Sequence, residues 1–267
     1  MISINTNYGS LFAAKAAGAA QKSMNGSMEK LSSGLRINSA KDDAAGQGIA
    51  TRLTAEVQGL QMASKNASDA QALVDTAESA YQEVTNMLLR MREIAVQAST
   101  ATVSKADRAA LDAEVGALEL EITRISDSIQ FGGITLAGVS QTFQIGTVSG
   151  QTVSHVFNAF AAADLSADVD VTSTGSAVSA ISALDDAIST VSTRRGALGA
   201  LSNRLSSTIA NLDNIAINLS AARGRIQDTD FAKETSNLAK SQIMQQAATA
   251  MLAQANASKQ TVLALIQ

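Results

Sequence analysis

The sequence predicts a mainly α-helical protein: a long antiparallel bundle of coiled-coil rods drawn from both chain ends, with a small β-hairpin region in the middle. Three observations carry that prediction. A seven-residue apolar repeat runs from Leu53 to Ala98, a second stripe of similar length runs from Ile181 to Ile226, and the 267-residue chain contains no proline. At average usage a chain this long would hold about a dozen prolines, and each would kink a helix interior or remove one of its hydrogen bonds.

The first rod places Leu53, Leu60, Ala67, Val74, Tyr81, Leu88 and Ala95 at one seam position. Ala63, Ala70, Ala77, Val84, Met91 and Ala98 fall three residues after members of that set, which is the pairing of a two-position helical seam. A Ser/Thr/Ala connector, residues 98–104, leads to a shorter stripe through Leu111, Val115, Leu118, Ile122, Ile125 and Ile129, with Asp107 in its first turn. The third stripe passes through Ile181, Leu184, Ile188, Val191, Leu198, Leu205, Ile209, Leu212, Ala216, Leu219 and Ile226, interrupted by Arg195, Ser202 and Arg223. Segments 52–98 and 181–226 would each span roughly 70 Å as helices, so they pair as rods with the middle of the chain as the turn-around.

Between Phe131 and Gly175 the period shortens. Thr142–Ile145 and Thr152–Phe157 read as strands joined by a turn at Val148–Gln151, followed by an Ala/Asp/Ser/Thr surface loop, 159–175. At the ends, Met24, Met28, Leu31 and Leu35 keep helical spacing, but Ala, Gly, Ser and Gln fill the rest of the seam. Alanine buries little area, so these ends are expected to gain order only when neighbours cover them. The chain therefore divides into a terminal helix at 1–42, rod helices at 43–137, a hairpin and loop region at 138–178, a rod helix at 179–227 and a second terminal helix at 228–267.

Composition excludes several classes of function. The net charge of −4 with no Lys/Arg run argues against nucleic acid, and no apolar run is long enough to insert in a membrane. The amino terminus lacks a basic segment followed by an apolar one, so no secretory signal peptide is expected. With no cysteine and one histidine, His155 on a hairpin edge facing solvent, a nucleophilic triad has almost nothing to draw on. Asp164, Asp168 and Asp170 lack the spacing of a calcium loop. Glu119 and Glu121 point to different faces of a helix and read as solvent-face charges. Gly46-Gln-Gly48 is a fragment of a phosphate-loop motif and reads as local flexibility between terminal helix and rod. Asn-X-Ser matches at Asn25, Asn66, Asn218 and Asn256 all fall on predicted helices and read as chance. No catalytic, cofactor or metal site is expected, and the chain is not read as an enzyme.

Four strings then carry a specific resemblance: Ile2–Asn7, Leu31–Gly46 (LSSGLRINSAKDDAAG), Met91–Ala98 (MREIAVQA) and Ala222–Ala232 (ARGRIQDTDFA). With Gln242–Ala248, Leu252–Asn256 and Val262–Ile266, they resemble bacterial flagellin along the chain except at 138–178. The resemblance implies a structural subunit that polymerises into the extracellular flagellar filament for swimming. It implies export through the flagellar type III channel, and a self-assembling helical homopolymer built by head-to-tail contacts that never close. The terminal helices would form the filament's inner tube, with Met24, Met28, Leu31, Leu35, Ile243, Val262, Leu263, Leu265 and Ile266 as packing candidates. An export chaperone, the filament cap and hook–filament junction proteins are the implied bacterial partners.

Two host receptor surfaces are implied as well. The animal Toll-like receptor surface maps onto Leu89, Arg90, Ile94 and Glu114, with Ile94 where leucine is common; Arg90 and Glu114 are also placed to pair across subunits. The plant receptor epitope maps onto Glu29–Ala50, with Arg36, Asn38, Lys41, Asp42, Asp43 and Gly46 matching the usual pattern and Gln47-Gly48 departing from it. A hook–filament junction protein and a polysaccharide-binding flagellin homologue are the alternatives. Phe143, Phe157 and Phe160 offer few stacking surfaces for the latter.

Overall fold

The computed structural model describes residues 6–159 and 169–264, with side chains described as far as residue 259. Five helices and two strand pairs follow in order: α1 (Tyr8–Ser33), α2 (Ala44–Ala98), α3 (Lys105–Ser128), β1 (Gln130–Phe131), β2 (Ile134–Thr135), β3 (Val139–Gln144), β4 (Thr152–Phe157), α4 (Thr174–Gln227) and α5 (Phe231–Ala264). The mainly helical architecture with a small hairpin region is the one read from the periodicity. The chain forms two compact units, Met1–Ala55 with Asn218–Gln267, and Glu56–Ile217.

Each helix begins at a short polar side chain that occupies an otherwise unpaired amide of the first turn. Asn7 Oδ1 accepts from the Ser10 amide (3.1 Å) and Asp43 Oδ1 from the Gly46 amide (2.9 Å). Ser104 Oγ accepts from Asp107 N (3.2 Å), Ser173 Oγ from Ser176 N (3.1 Å), and Asp230 Oδ1 from Lys233 N (3.2 Å). The cap at Asp43 explains why α2 starts at Ala44, nine residues before the first residue of the apolar repeat, Leu53. Gly34 closes α1 at φ +73°, donating its amide to the Lys30 carbonyl (2.9 Å).

In the unit Glu56–Ile217, side chains of α2, α3, α4 and the hairpin region share one core. Both seam sets of α2 are buried from Leu60 to Ala98, and Leu184, Val191, Leu198, Leu205 and Leu212 supply the facing stripe of α4. Val115 and Ile122 bring α3 onto the same core. The strands pair antiparallel, β1 with β2 through Gly132 and Gly133 at positive φ, and β3 with β4 in the register Phe143↔Val153. The register puts Val153, His155 and Phe157 on one face. Val153 and Phe157 are buried, and Tyr81 donates its hydroxyl to the Asn158 carbonyl (3.0 Å), tying the strand exit to α2. His155 is half-buried at 5.0 Å from the Phe157 ring, and burial lowers its pKa, so it does not face solvent freely as expected.

Two further expectations change. The segment 159–175 was expected to be a surface loop, yet Val169 and Val171 are buried in the core. Their amides donate to Glu119 Oε1 (3.3 Å) and Asp112 Oδ1 (3.2 Å), so Glu119 is a backbone acceptor rather than a solvent-face charge. Asp164, Asp168 and Phe160 lie outside the described residues. Asp170 accepts from the Thr172 amide (2.7 Å), as a residue holding its own turn does.

Gly46 was expected to confer flexibility, but the reason for glycine there is contact. A Cβ at this position would stand 2.4 Å from Asp43 Oδ2 and 2.7 Å from Ile37 Cδ1. Asp43 is committed to its cap and Ile37 is buried, so neither side chain can yield cheaply. Gly46→Ala is expected to destabilise the chain by about 1–3 kcal/mol through overpacking, despite alanine's better helix propensity. Chemical denaturation followed by circular dichroism checks this, and an unchanged or higher midpoint would refute it.

Candidate assembly surface

In the terminal unit, α1 and α5 form an antiparallel pair. Asn7 Nδ2 donates to the Ala255 carbonyl (3.0 Å), Ser241 Oγ to Ser23 Oγ (3.1 Å), and Gln245 Nε2 to Gln21 Oε1. At the inner end, Leu35 bridges Asp228, and the Thr229 amide donates to the Gly34 carbonyl (3.0 Å). The residues buried along the pair are small: Ala13, Ala20, Ser27, Ser241 and Ala248, with Glu234. Small seam residues let two helices approach closely while burying little apolar area.

Many of the large apolar side chains stay exposed. Tyr8, Leu11, Phe12, Met28, Phe231, Ile243, Met244 and Met251 are all exposed, Phe12 at 76% and Met251 at 64%. Phe12, Ala13, Met244, Ala248, Met251 and Ala255 line a groove of about 380 Å³. Scattered exposed hydrophobes are ordinary, but an apolar groove flanked by exposed Phe12, Met244 and Met251 is the kind of surface that another molecule covers.

Among the residues singled out from sequence, Met28 and Ile243 are exposed, whereas Met24, Leu31 and Leu35 are half-buried. Val262 and Leu263 belong to α5 without described side chains, and Leu265 and Ile266 lie outside the described residues. Sequence reasoning missed Tyr8, Leu11 and Phe12, which share a helix face at spacings of three and four, and Met244 and Met251, seven residues apart.

The turn between α1 and α2 brings together the residues matched by resemblance to a plant-receptor epitope, and several of their side chains hold the turn. Arg36 donates its amide to the Gln227 carbonyl (2.6 Å) and its guanidinium to the Ile226 carbonyl. Asn38 Nδ2 donates to Ser33 Oγ (2.8 Å). Asp42 Oδ2 accepts from Ser39 Oγ (3.0 Å), Ser39 N (3.0 Å) and Asn38 N (3.2 Å). Gly46 is buried, while Lys41 is exposed.

On the rod, Leu89, Arg90 and Glu114 are exposed, but Ile94 is 0% exposed and belongs to the core. Within the chain Arg90 reaches Glu114, with Nε and Nη2 both donating to Oε1 (3.0 and 2.9 Å).

The carboxyls of Asp42, bonded by Ser39, and of Asp185, bonded by Arg92, are both held below the usual aspartate value of 3.8. A depressed folded-state pKa adds stability above the unfolded value, and that stability is lost as pH falls through the folded value. Acid titration is therefore expected to remove helix signal below about pH 4, with Asp42→Asn blunting the loss. A profile in Asp42→Asn identical to the parent would refute the assignment.

Long helices, small helix seams and an outward apolar face define a structural protein that associates with copies of itself. The amino-terminal helical region model of bacterial flagellin matches residues 4–141, and the carboxy-terminal one matches 181–266. A flagellin of Halalkalibacterium halodurans is 44% identical over 252 residues, covering 90% of each chain. Flagellin B of Vibrio cholerae is 32% identical over 373 aligned positions, covering 99% of each, so the relative carries residues with no counterpart in these 267. A crystal structure of Bacillus cereus flagellin superposes with a TM-score of 0.51 at 29% identity, covering 60% of this chain and 94% of that one. A putative flagellar hook-associated protein from Vibrio parahaemolyticus shares the fold at TM-score 0.60 and 14% identity, covering 70% of this chain and 100% of that one. The chain belongs to the bacterial flagellin family, a family of structural proteins, and is a subunit of the flagellar filament. Among its described residues no helix is long and apolar enough to cross a membrane.

Proposed function

We propose that the subunit joins the extracellular filament through the α1/α5 pair, whose outward apolar face neighbouring subunits bury to make the inner tube. The observation that supports this is the inversion of that pair, with small residues inside and Phe12, Met244 and Met251 outside. Among the described residues nothing in the terminal unit covers those side chains, and a second copy would offer a surface for them through non-closing contacts. The absence of cysteine and proline suits passage of the unfolded chain through the type III channel and quick refolding at the tip.

Before assembly, an export chaperone shields the same face, and the filament cap and hook–filament junction proteins meet it at the ends of the polymer. Host innate immune receptors are proposed to read two regions. On the rod, Leu89, Arg90 and Glu114 are available at the surface and Ile94 supports them from beneath. In the α1–α2 turn, Arg36, Asn38 and Asp42 must first leave their internal bonds to be read as an extended epitope.

Electron microscopy of the full chain beside a version lacking 1–42 and 228–267, in polymerising salt, tests the reading. Long helical filaments from the full chain alone are expected. Failure of both to polymerise, even with filament seeds, would sink it.

A further inference from the structure

We propose that a ladder of polar side chains between α2 and α4 fixes the register of the two rods, selecting one alignment among several that the apolar repeat alone permits. The rungs come from a single heptad position of α2, beside the seam. Arg92 Nε bonds Asp185 Oδ1 (2.6 Å), Glu78 Oε1 accepts from Arg195 Nη2 (2.7 Å) and Nε (3.0 Å), Gln71 Nε2 bonds Ser206 Oγ (3.3 Å), and Ser64 Oγ bonds Asp213 Oδ1 (2.9 Å). Between the outer rungs the numbering falls along α2 as it rises along α4, three heptads from Arg92 to Gln71 and from Asp185 to Ser206, then one more to Ser64 and Asp213. That is an antiparallel register maintained over most of the rod.

Glu78 shows how the ladder is adapted. By the same rule it would face Gly199, where a side chain would find nothing within 4 Å. Its carboxylate instead reaches one turn along α4 to Arg195, a polar residue set into the apolar stripe. Glu78 Oε2 is buried without a hydrogen-bond partner, a cost that an apolar side chain would avoid. A pair that is imperfect for stability yet placed in a seam is suited to specifying alignment.

A seven-residue slip keeps apolar residues opposite apolar residues, so the seam cannot reject it. The ladder does. In one direction Arg92 would meet Ser192 and Arg195 would meet Thr85; in the other they would meet Val178 and Gln71. Only the observed register gives both arginines a carboxylate.

The absence of cysteine makes the test direct. In the full chain, kept unpolymerised, two reporter pairs are cross-linked with a short bismaleimide: Thr85→Cys with Ser192→Cys for the observed register, and Thr85→Cys with Gly199→Cys for a one-heptad slip. The parent background is expected to link the first pair and leave the second at background. Neutralising the ladder (Glu78→Gln, Arg92→Gln, Asp185→Asn, Arg195→Gln) should raise the ratio of slipped to native product roughly three- to tenfold, given how modest exposed pairs are individually. Exchanging the charges (Glu78→Arg with Arg195→Glu, Arg92→Asp with Asp185→Arg) should restore the parental ratio. A neutralised chain of parental helix content with an unchanged ratio would overturn the proposal, because the apolar seam would then select register unaided. If neutralisation lowers helix content, recovery of that content and of the native link in the exchanged chain supports the ladder, and failure to recover overturns it.

Discussion

Replacing Phe12 and Met251 together by serine is expected to abolish filament growth at concentrations where the parent polymerises, while leaving the lone subunit almost as stable as before. Both side chains are exposed in the subunit, at 76% and 64%, and exposed substitutions of this kind usually stay within about 0.5 kcal/mol. On assembly each would go from water into an apolar interface, a change of about 1.5–3 kcal/mol per side chain. Losing both costs about 3–6 kcal/mol per added subunit, which raises the critical concentration roughly a hundredfold to ten-thousandfold. Sedimentation of polymer against total concentration measures this, with circular dichroism confirming that the unassembled chain keeps its helices. A critical concentration within a few-fold of the parent would mean that neither side chain is buried between subunits.

The rods were legible in the sequence because their burial is internal. A seam that packs within one chain leaves a period, and the residues at that period from Leu60 to Ala98 are the buried ones. The terminal unit was less legible because its period belongs to two surfaces at once. Ala13, Ala20 and Ala248 face the partner helix, and Phe12, Met244 and Met251 face outward. A reading of the large residues therefore picks Met28 and Ile243 as filament-packing candidates and passes over the small-residue seam that joins the pair. Glu119 and Val169 show a different limit. A carboxylate that accepts a backbone amide from a segment fifty residues away leaves no local pattern, so a helix-face charge and a structural acceptor look alike in sequence. Ile94 shows the limit of resemblance, since a matched position carries no burial with it.

Leu205→Ala should produce the largest loss of stability from a single truncation in the rod, about 3–5 kcal/mol, toward the upper end of the range for such changes. The cost depends on how well the surroundings collapse into the space. Leu205 is 0% exposed and belongs to the rod's core. That core is shared by α2, α3, α4 and the hairpin region, and its close packing leaves neighbours little room to move into the space. Both helices are long and continuous there, which leaves the backbone little freedom to close the void. Leu120→Ala on α3 removes the same atoms from a side chain that is 75% exposed and should change stability by less than about 0.5 kcal/mol. Denaturant midpoints at unchanged m-value compare the two in the unassembled chain. Equal losses would mean that the rod relaxes freely around Leu205.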